Sequence, residues 1–201
     1  ADLTPNDPLF TDCWGLVNTG QFGGQVDFDM VADLAWDITT GNANIKVLII
    51  DNGVQQNHPD INQNAGRDFT TGDPNGIPGG GPQNQFDKHG TAVAGCATAI
   101  INNNLGTVGV APGCKSLSAR TFVGIDADHW TSQVSWTVNA LNWGLSQGAR
   151  VSNNSNAYGP AMQHSSIEEA YDLSHAAGMV PFAAAGNDGA SALSYPASIP
   201  V

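Results

Sequence analysis

Positively charged side chains are scarce in this chain. Its 201 residues contain 6 Lys and Arg against 18 Asp and Glu, which gives a formal net charge of −12 at pH 7. Binding to nucleic acid or to an anionic membrane surface requires a basic patch, and six cations are too few to form one. The sequence therefore argues against both kinds of partner. Acidic side chains in loops suit Ca²⁺, although they are equally compatible with a plain acidic surface.

Long apolar runs and metal-binding cysteine motifs are also absent from the sequence. No stretch approaches the roughly 18 apolar residues of a membrane-spanning helix. The first residues lack the basic and apolar regions of a signal peptide, so we expect that any signal peptide or pro-segment has been removed. The three cysteines, Cys13, Cys96 and Cys114, do not have the spacing of metal ligands. One disulfide and one free thiol would suit a secreted protein, and the sequence leaves the pairing open.

The pattern of apolar residues predicts an α/β fold with one core. Residues 1–40 are interpreted as an irregular arm with one short helix around 31–36, and the Gly- and Pro-rich segment 72–82 as a surface loop. We predict strands at 46–51, 116–122, 151–155 and 180–185, and helices at 90–101, 132–147 and 165–177. This alternation is typical of a three-layer domain with a mostly parallel central sheet and helices on both faces.

Three polar residues stand out because of their positions in this pattern. Asp51 ends the apolar run 47–50, His89 precedes Gly90 at the start of a predicted helix, and Asn187 follows the last predicted strand. In parallel sheets, ligands lie beyond the carboxyl ends of the strands, where Asp51 and Asn187 are expected. A carboxylate, an imidazole and an amide are three of the four groups needed to cleave an acyl bond with a serine. Taken singly, each is more often a turn former or helix cap.

Several short segments together resemble the subtilisin/kexin family of serine peptidases, the subtilases. The resemblance extends from about Asp7 to the end of the chain and implies a subtilisin-like fold. Its motifs are Asp51-Asn52-Gly53-Val54, His58-Pro59-Asp60, His89-Gly90-Thr91-Ala92-Val93-Ala94-Gly95, Gly109-Val110-Ala111-Pro112, Ala184-Ala185-Gly186-Asn187 and Tyr195-Pro196-Ala197.

The resemblance implies catalytic roles for Asp51, His89 and Asn187. His89 would be the general base, Asp51 would orient its imidazole, and the Asn187 amide would stabilise the oxyanion. The chain order Asp, His, Ser is that of subtilisin. The family's nucleophile lies in a Gly-Thr-Ser motif that these residues lack. We therefore expect the serine beyond residue 201, and interpret residues 1–201 as the N-terminal, larger part of one peptidase domain that is inactive alone.

The resemblance also implies a Ca²⁺ site. The residues concerned supply the carboxylate, amide and carbonyl oxygens that a hard cation binds. They are Asp7, Asp60, Ile100, Asn103, Leu105 and Thr107. The alternative is a hydrated, Asn-rich turn after a helix.

Substrate in this family pairs as an added strand between two segments, which correspond here to 124–129 and 155–159. The candidate substrate-binding residues are Gly124, Asp126, Ser155 and Gly159. The second segment departs from the family's Ser-x-Gly pattern and looks like an insertion. The stretch after Gly159 lacks the acidic cluster that kexins use for paired basic residues. A broad endopeptidase specificity is therefore expected.

The sequence predicts a secreted serine endopeptidase stabilised by Ca²⁺. Its expected partners are a peptide or protein substrate, the C-terminal part of its own domain and a pro-segment inhibitor. A second hypothesis is a non-catalytic subtilase relative that acts as a binding or scaffold module. The presence of Asp51, His89 and Asn187 favours the enzyme, because a disused site has no physical reason to keep all three. A generic α/β ligand-binding domain would explain the sheet but not the motifs.

Overall fold

A six-stranded sheet forms the centre of the computed structural model, which describes residues 3–70, 78–159 and 162–200. Its strands follow the order β3-β2-β4-β1-β7-β8, and a separate hairpin pairs β5 with β6. The strands are β1 (Lys46–Asp51), β2 (Gln63–Asp68), β3 (Pro78–Gly79), β4 (Lys115–Arg120), β5 (Phe122–Gly124), β6 (Trp130–Ser132), β7 (Ala149–Asn154) and β8 (Val180–Ala183). All neighbouring pairs of the large sheet are parallel except β2 with β3. The prediction of a mostly parallel α/β fold is confirmed.

Helices cover both faces of this sheet. They are α2 (His89–Thr98), α3 (Val134–Ser146) and α4 (Ser165–Ala176), whereas α1 (Ala32–Ile38) packs in a separate cluster with the N-terminal arm. The strand β1 is apolar on both sides, as expected for a central strand of a parallel sheet. Leu48 and Ile50 belong to the core cluster that includes residues of α3 and α4, whereas Val47 and Ile49 belong to the cluster that includes residues of α2. The alternation along β1 therefore assigns one face of the sheet to each set of helices.

The strand β2 was not predicted, because its sequence Gln-Asn-Ala-Gly-Arg-Asp contains almost no apolar residue. It forms because its backbone pairs with β4 on one side and β3 on the other. A Cβ atom on Gly66 would lie 2.5 Å from the carbonyl oxygen of Ser118, so only glycine allows this close approach. Hydrogen bonds to neighbouring strands, rather than side-chain pattern, define β2.

The N-terminal arm is irregular, as predicted, and contains α1 together with two short 3₁₀ segments, Phe10–Asp12 and Gln21–Gly23. Buried Trp36 attaches the arm to the domain, since its Nε1 donates a hydrogen bond to the carbonyl of Val110 at 3.0 Å. The predicted surface loop 72–82 lies outside the described residues at 72–77, and its later part contributes β3.

The three cysteines are free thiols in this structure. Cys114 is buried, Cys96 is exposed, and Cys13 is intermediate between them. Burial raises the pKa of the Cys13 thiol above its ordinary value. The structure therefore does not show the disulfide that a secreted protein with three cysteines could contain. Within the described ranges, no helix has the length and apolar content needed to cross a bilayer.

Candidate active site

Asp51 and His89 form a hydrogen-bonded pair at the carboxyl end of β1. The Nδ1 atom of His89 lies 2.9 Å from Oδ2 and 3.0 Å from Oδ1 of Asp51. The Asp51 side chain is 3% exposed, whereas the His89 side chain is 54% exposed. A buried carboxylate thus fixes one nitrogen of an imidazole whose opposite side is open to solvent. This is the arrangement in which Nε2 can exchange a proton with a reacting group.

Hydrogen bonds and a close backbone approach hold the segments of Asp51 and His89 next to each other. The amide of Asn52 donates to Oδ1 of Asp51 at 2.8 Å, and Oδ1 of Asn52 accepts from the amide of Gly90 at 2.8 Å. A Cβ atom on Gly90 would lie 2.5 Å from the carbonyl oxygen of Gly53 and 3.0 Å from Cβ of Asp51. Glycine at position 90 therefore lets the start of α2 approach the end of β1.

Asp51 raises the pKa of His89 above its ordinary value. The main cause is the hydrogen bond to Asp51, and the negative charge of Asp51 acts in the same direction. Partial burial of the ring opposes both effects. The imidazolium is the form that is stabilised, because Asp51 accepts a hydrogen bond from its Nδ1–H group and balances its charge. A base placed in this way is protonated over a wider range of acidic pH than a free histidine.

Asp51→Asn should lower the pKa of His89 to about 6.5 or below, which is the ordinary value of histidine. The variant removes the negative charge and weakens the hydrogen bond, so that only burial continues to act on the imidazole. The titration of the His89 ring protons can be followed by NMR in both proteins. Asp172→Asn, an exposed substitution on α4, is the matched control and should leave the curve unchanged. An equally raised pKa in Asp51→Asn would contradict the assigned contact.

Asn187 lies in an exposed turn after β8, and β8 is separated from β1 by β7 alone. The strand before it, β8, ends at the same edge of the sheet as β1, because β1, β7 and β8 are parallel. The turn before it is fixed by Ser194, whose amide and hydroxyl both donate to the carbonyl of Ala185. The structure thus brings Asp51 and His89 into contact, and it places Asn187 at the same edge without a direct contact to either.

The first predicted substrate segment begins in β5. The amide of Gly124 donates to Oδ1 of Asp87 at 2.9 Å, and its carbonyl accepts from the side chain of Asn84 at 3.0 Å. Asp126 follows in an exposed turn, where its carboxylate accepts from the amides of Asp128 and His129 and pairs with the His129 ring. These hydrogen bonds, the one from Asp128 first, lower the pKa of Asp126. Asp126 therefore stabilises its own turn.

The second predicted segment turns partly into the core. Tyr158 is buried and stacks on Phe122, with 5.3 Å between ring centroids and 3° between ring planes. Burial raises its pKa well above the ordinary value. Ser155 accepts a hydrogen bond from Asn153, and Gly159 is exposed. The segment is thus anchored inward at Tyr158, which leaves Ser155 and Gly159 on either side of the buried ring.

The predicted Ca²⁺ ligands come together around two buried carboxylates. Asp7 and Asp60 are each 4% exposed. Asp7 accepts from the amides of Asn102 and Asn103, and Asp60 accepts from the amide of Thr107 at 3.0 Å and the side chain of Asn103 at 2.8 Å. Ile100 donates its amide to the carbonyl of Asp60, and Leu105 donates its amide to Oδ1 of Asn103. All six residues therefore belong to one cluster.

The chemistry of this cluster fits a cation. Neither Asp7 nor Asp60 takes part in an ion pair with the basic side chains of residues 3–70, 78–159 and 162–200. Two buried carboxylates without a counter-charge are costly unless something positive balances them. The oxygens available to such a cation are those of Asp7, Asp60 and Asn103 together with backbone carbonyls, a set that Ca²⁺ prefers.

Sequence reasoning missed a second group of residues, which lies next to the Asp51–His89 pair. Arg120 ends β4 and is 2% exposed, and it binds the buried carboxylates of Asp68 and Asp87. Asn156 donates from Nδ2 to the carbonyl of Ile50 at 3.1 Å, next to Asp51. The only signal in the sequence was a charged residue at the end of an apolar strand, which suggests a partner without naming it.

Comparison with known proteins supports the resemblance seen in the sequence. The family model of the subtilases matches residues 42–200. Thermitase of Thermoactinomyces vulgaris is 36% identical over 196 residues, which cover 96% of this chain and 62% of the relative. The subtilisin of Bacillus pumilus is 34% identical over 162 residues, which cover 79% of this chain and 54% of the relative. Neuroendocrine convertase 2 of Homo sapiens is 37% identical over 123 residues, 59% of this chain and 19% of the relative.

Solved structures have the same fold. A protease from Pseudoalteromonas arctica matches with a TM-score of 0.68 at 25% identity and covers 92% of this chain and 60% of its own. A serine protease of Aeromonas sobria, solved in complex with a chaperone, matches with a TM-score of 0.72 at 24% identity. The match covers 93% of this chain and 33% of the Aeromonas chain.

The chain belongs to the subtilase family of serine peptidases. It spans about half to two thirds of the length of the thermitase and the subtilisin that it matches.

Proposed function

We propose that this chain is the Asp- and His-bearing part of a serine endopeptidase that cleaves peptide bonds through an Asp-His-Ser triad. The observation that carries the proposal is the contact between His89 and the buried Asp51, at 2.9 Å and 3.0 Å. The family membership supports the same reading. The nucleophilic serine would lie beyond residue 201.

In the proposed reaction, Nε2 of His89 takes the proton of the serine as its oxygen attacks the scissile carbonyl. His89 then gives that proton to the leaving amine. Asp51 holds the imidazole through Nδ1 and stabilises the imidazolium that forms. Asn187 would donate its side-chain amide to the oxyanion, since it donates a hydrogen bond without adding a charge that competes for His89.

The substrate would be a peptide in extended conformation that pairs with β5 near Gly124 and with the segment around Ser155 and Gly159. Asp126 closes the turn beside this cleft. We propose a broad endopeptidase specificity, because Ser155, Tyr158 and Gly159 provide no cluster of carboxylates for paired basic residues.

The C-terminal part of the peptidase domain is proposed as the partner of β8. This strand forms the edge of the sheet, and its apolar side chains Val180 and Phe182 are 48% and 58% exposed. An uncovered apolar edge strand is a place where further polypeptide adds to a sheet. A further strand there would bring the nucleophile segment to the same side as Asp51 and Asn187.

Fluorophosphonate labelling of the complete protein tests the proposed function. These probes react with a serine only when a neighbouring base activates it. We expect labelling at a serine beyond residue 201, together with hydrolysis of an unstructured protein such as casein. A folded complete protein that neither reacts with the probe nor hydrolyses casein would favour the scaffold hypothesis instead.

We also propose that Asp7, Asp60 and Asn103 hold a structural Ca²⁺ with the backbone carbonyls of Ile100, Leu105 and Thr107. When bound, the ion would supply the positive charge that these carboxylates lack. Asp7 belongs to the N-terminal arm and Asp60 to the segment after β1, so the ion would attach the arm to the domain. Secretion and inhibition by a pro-segment are further parts of this proposal.

Asp60→Ala should lower the midpoint of thermal unfolding and abolish its dependence on Ca²⁺. Ligand binding stabilises only the folded state, by about 2.7 kcal/mol at a hundred times the dissociation constant. Thermal melts with added Ca²⁺ and with a chelator measure the effect. Asp37→Ala, an exposed substitution on α1, is the control and should keep the full response to Ca²⁺. A melt of the unchanged protein that does not respond to Ca²⁺ would rule out the site.

A further inference from the structure

We propose that Arg120 is a positioning residue of the active site, which aligns the Asp51–His89 pair with the substrate-binding strand β5. This inference rests on the proposed function and adds to it a group that does not touch the substrate. Arg120 is the last residue of β4, where it is in register with Asp51 on one side and with Asp68 on the other. The cation therefore lies in the same row of the sheet as the catalytic acid.

The guanidinium of Arg120 binds two buried carboxylates at once. Its Nη1 donates to Oδ2 of Asp68 at 3.0 Å, and its Nη2 donates to Oδ2 of Asp87 at 2.8 Å. Asp68 is fully buried and Asp87 is 2% exposed. Nη1 also donates to the hydroxyl of Thr70, and that hydroxyl donates to Oδ1 of Asp68. The N–H groups of this planar group have fixed directions relative to one another, a property that a lysine ammonium lacks.

Two of the partners of Arg120, the Asn52 carbonyl and Asp87, connect it to parts of the proposed active site. Nε of Arg120 donates to the carbonyl of Asn52 at 3.3 Å, directly after Asp51. Asp87 precedes His89 by two residues, and its Oδ1 accepts from the amide of Gly124 at 2.9 Å. A single buried side chain is therefore joined to the loop of the acid, the loop of the base and the strand proposed to bind substrate.

Stability alone is a weak reason for this arrangement. Placing ions in a protein interior is costly, and the attraction between them offsets that cost only when the geometry is favourable. A guanidinium that bridges two carboxylates adds directional hydrogen bonds, so it can fix the relative positions of three chain segments. Displacing a catalytic group by about 1 Å can reduce the rate about 100-fold. Loss of Arg120 should therefore affect the geometry of the site more than the stability of the fold.

Arg120→Lys in the complete peptidase is the central test. The variant keeps the charge but cannot bind Asp68, Asp87 and Asn52 together. We expect kcat to fall about 10- to 100-fold, KM to rise because Gly124 is less well held, and the acidic limb of the pH profile to move toward the ordinary histidine value of about 6.5. The pKa of His89 should fall because its hydrogen bond to Asp51 is the main cause that raises it. A less well aligned pair makes that hydrogen bond weaker.

Arg150→Lys is the matched control, because Arg150 is exposed near the opposite end of β7, which is separated from β4 by β1. It should leave kcat, KM and the pH profile unchanged. Should Arg120→Lys lower only the melting temperature, with wild-type kcat, KM and acidic limb, Arg120 would be merely structural and the proposal would be overturned. If Arg120→Lys does not fold, Asp87→Asn provides the test, and wild-type kinetics in that variant would overturn the proposal equally.

NMR titration of His89 in the complete protein separates this proposal from the proposed function. If the complete wild-type protein has no peptidase activity, the proposed function fails, but the alignment of His89 with Asp51 can still be measured. A lower pKa of His89 in Arg120→Lys than in Arg150→Lys would support the positioning role. An unchanged pKa would overturn it, whatever the activity of the complete protein.

Discussion

His89→Ala in the complete peptidase is expected to lower kcat about 10⁶-fold, the order of loss known for a subtilisin that lacks its catalytic histidine. Without the imidazole no group of this site can take the proton of the serine, since the neighbouring Asp51 is buried behind it. The remaining rate would come from substrate binding and oxyanion stabilisation. Hydrolysis of a chromogenic peptide, measured at saturating substrate, gives the ratio directly.

His175→Ala is the matched control for this prediction. His175 is exposed in the last turn of α4 and has no contact with Asp51. It should keep full activity. A His89→Ala variant that retains more than about a hundredth of the wild-type kcat would contradict the assignment of His89 as the base, because general-base catalysis alone contributes about 10²–10⁴-fold.

Asn187→Ala is expected to lower kcat about 10²–10³-fold, which is the effect that the oxyanion-hole asparagine has in subtilisin. KM should change little, because the amide donates to an oxygen whose charge develops only in the transition state. The two constants are separated by a full substrate-concentration series at constant pH.

Asn44→Ala, an exposed substitution before β1 at the opposite edge of the sheet, controls for loss of an asparagine as such. A rise in KM with unchanged kcat in Asn187→Ala would indicate that Asn187 binds substrate in its ground state. That result would contradict the proposed oxyanion role. The turn around Gly186 should survive the substitution, since Ser194 holds it through the carbonyl of Ala185.

The main elements of the fold could be predicted from the sequence because they carry a strong apolar pattern. The run Val47–Ile50 is too short and too β-branched for a helix, and it forms β1. Val134, Val138 and Leu141 repeat at helical spacing in α3. In contrast, β2 has no apolar pattern at all. Its position depends on the backbone hydrogen bonds of β4, which only the assembled sheet supplies.

The candidate site could be predicted only as far as local motifs reach. Asp51 and His89 lie in short segments with a recognisable form, and their side chains are in contact in the structure. Arg120 was predicted as part of a strand, but its two carboxylates are 52 and 33 residues away along the chain. No local pattern encodes such a contact. The inward turn of Tyr158 was missed for the same reason, since its ring partner Phe122 lies on β5.

The pH dependence of fluorophosphonate labelling in the complete protein tests the central claim most directly. The claim is that His89, held by Asp51, activates a serine beyond residue 201. The labelling rate should rise with pH through a single ionisation above about 6.5, because Asp51 raises the pKa of His89, and His89→Ala should abolish the reaction. A labelling rate that does not vary between about pH 5 and 8, or that survives in His89→Ala, would contradict the account.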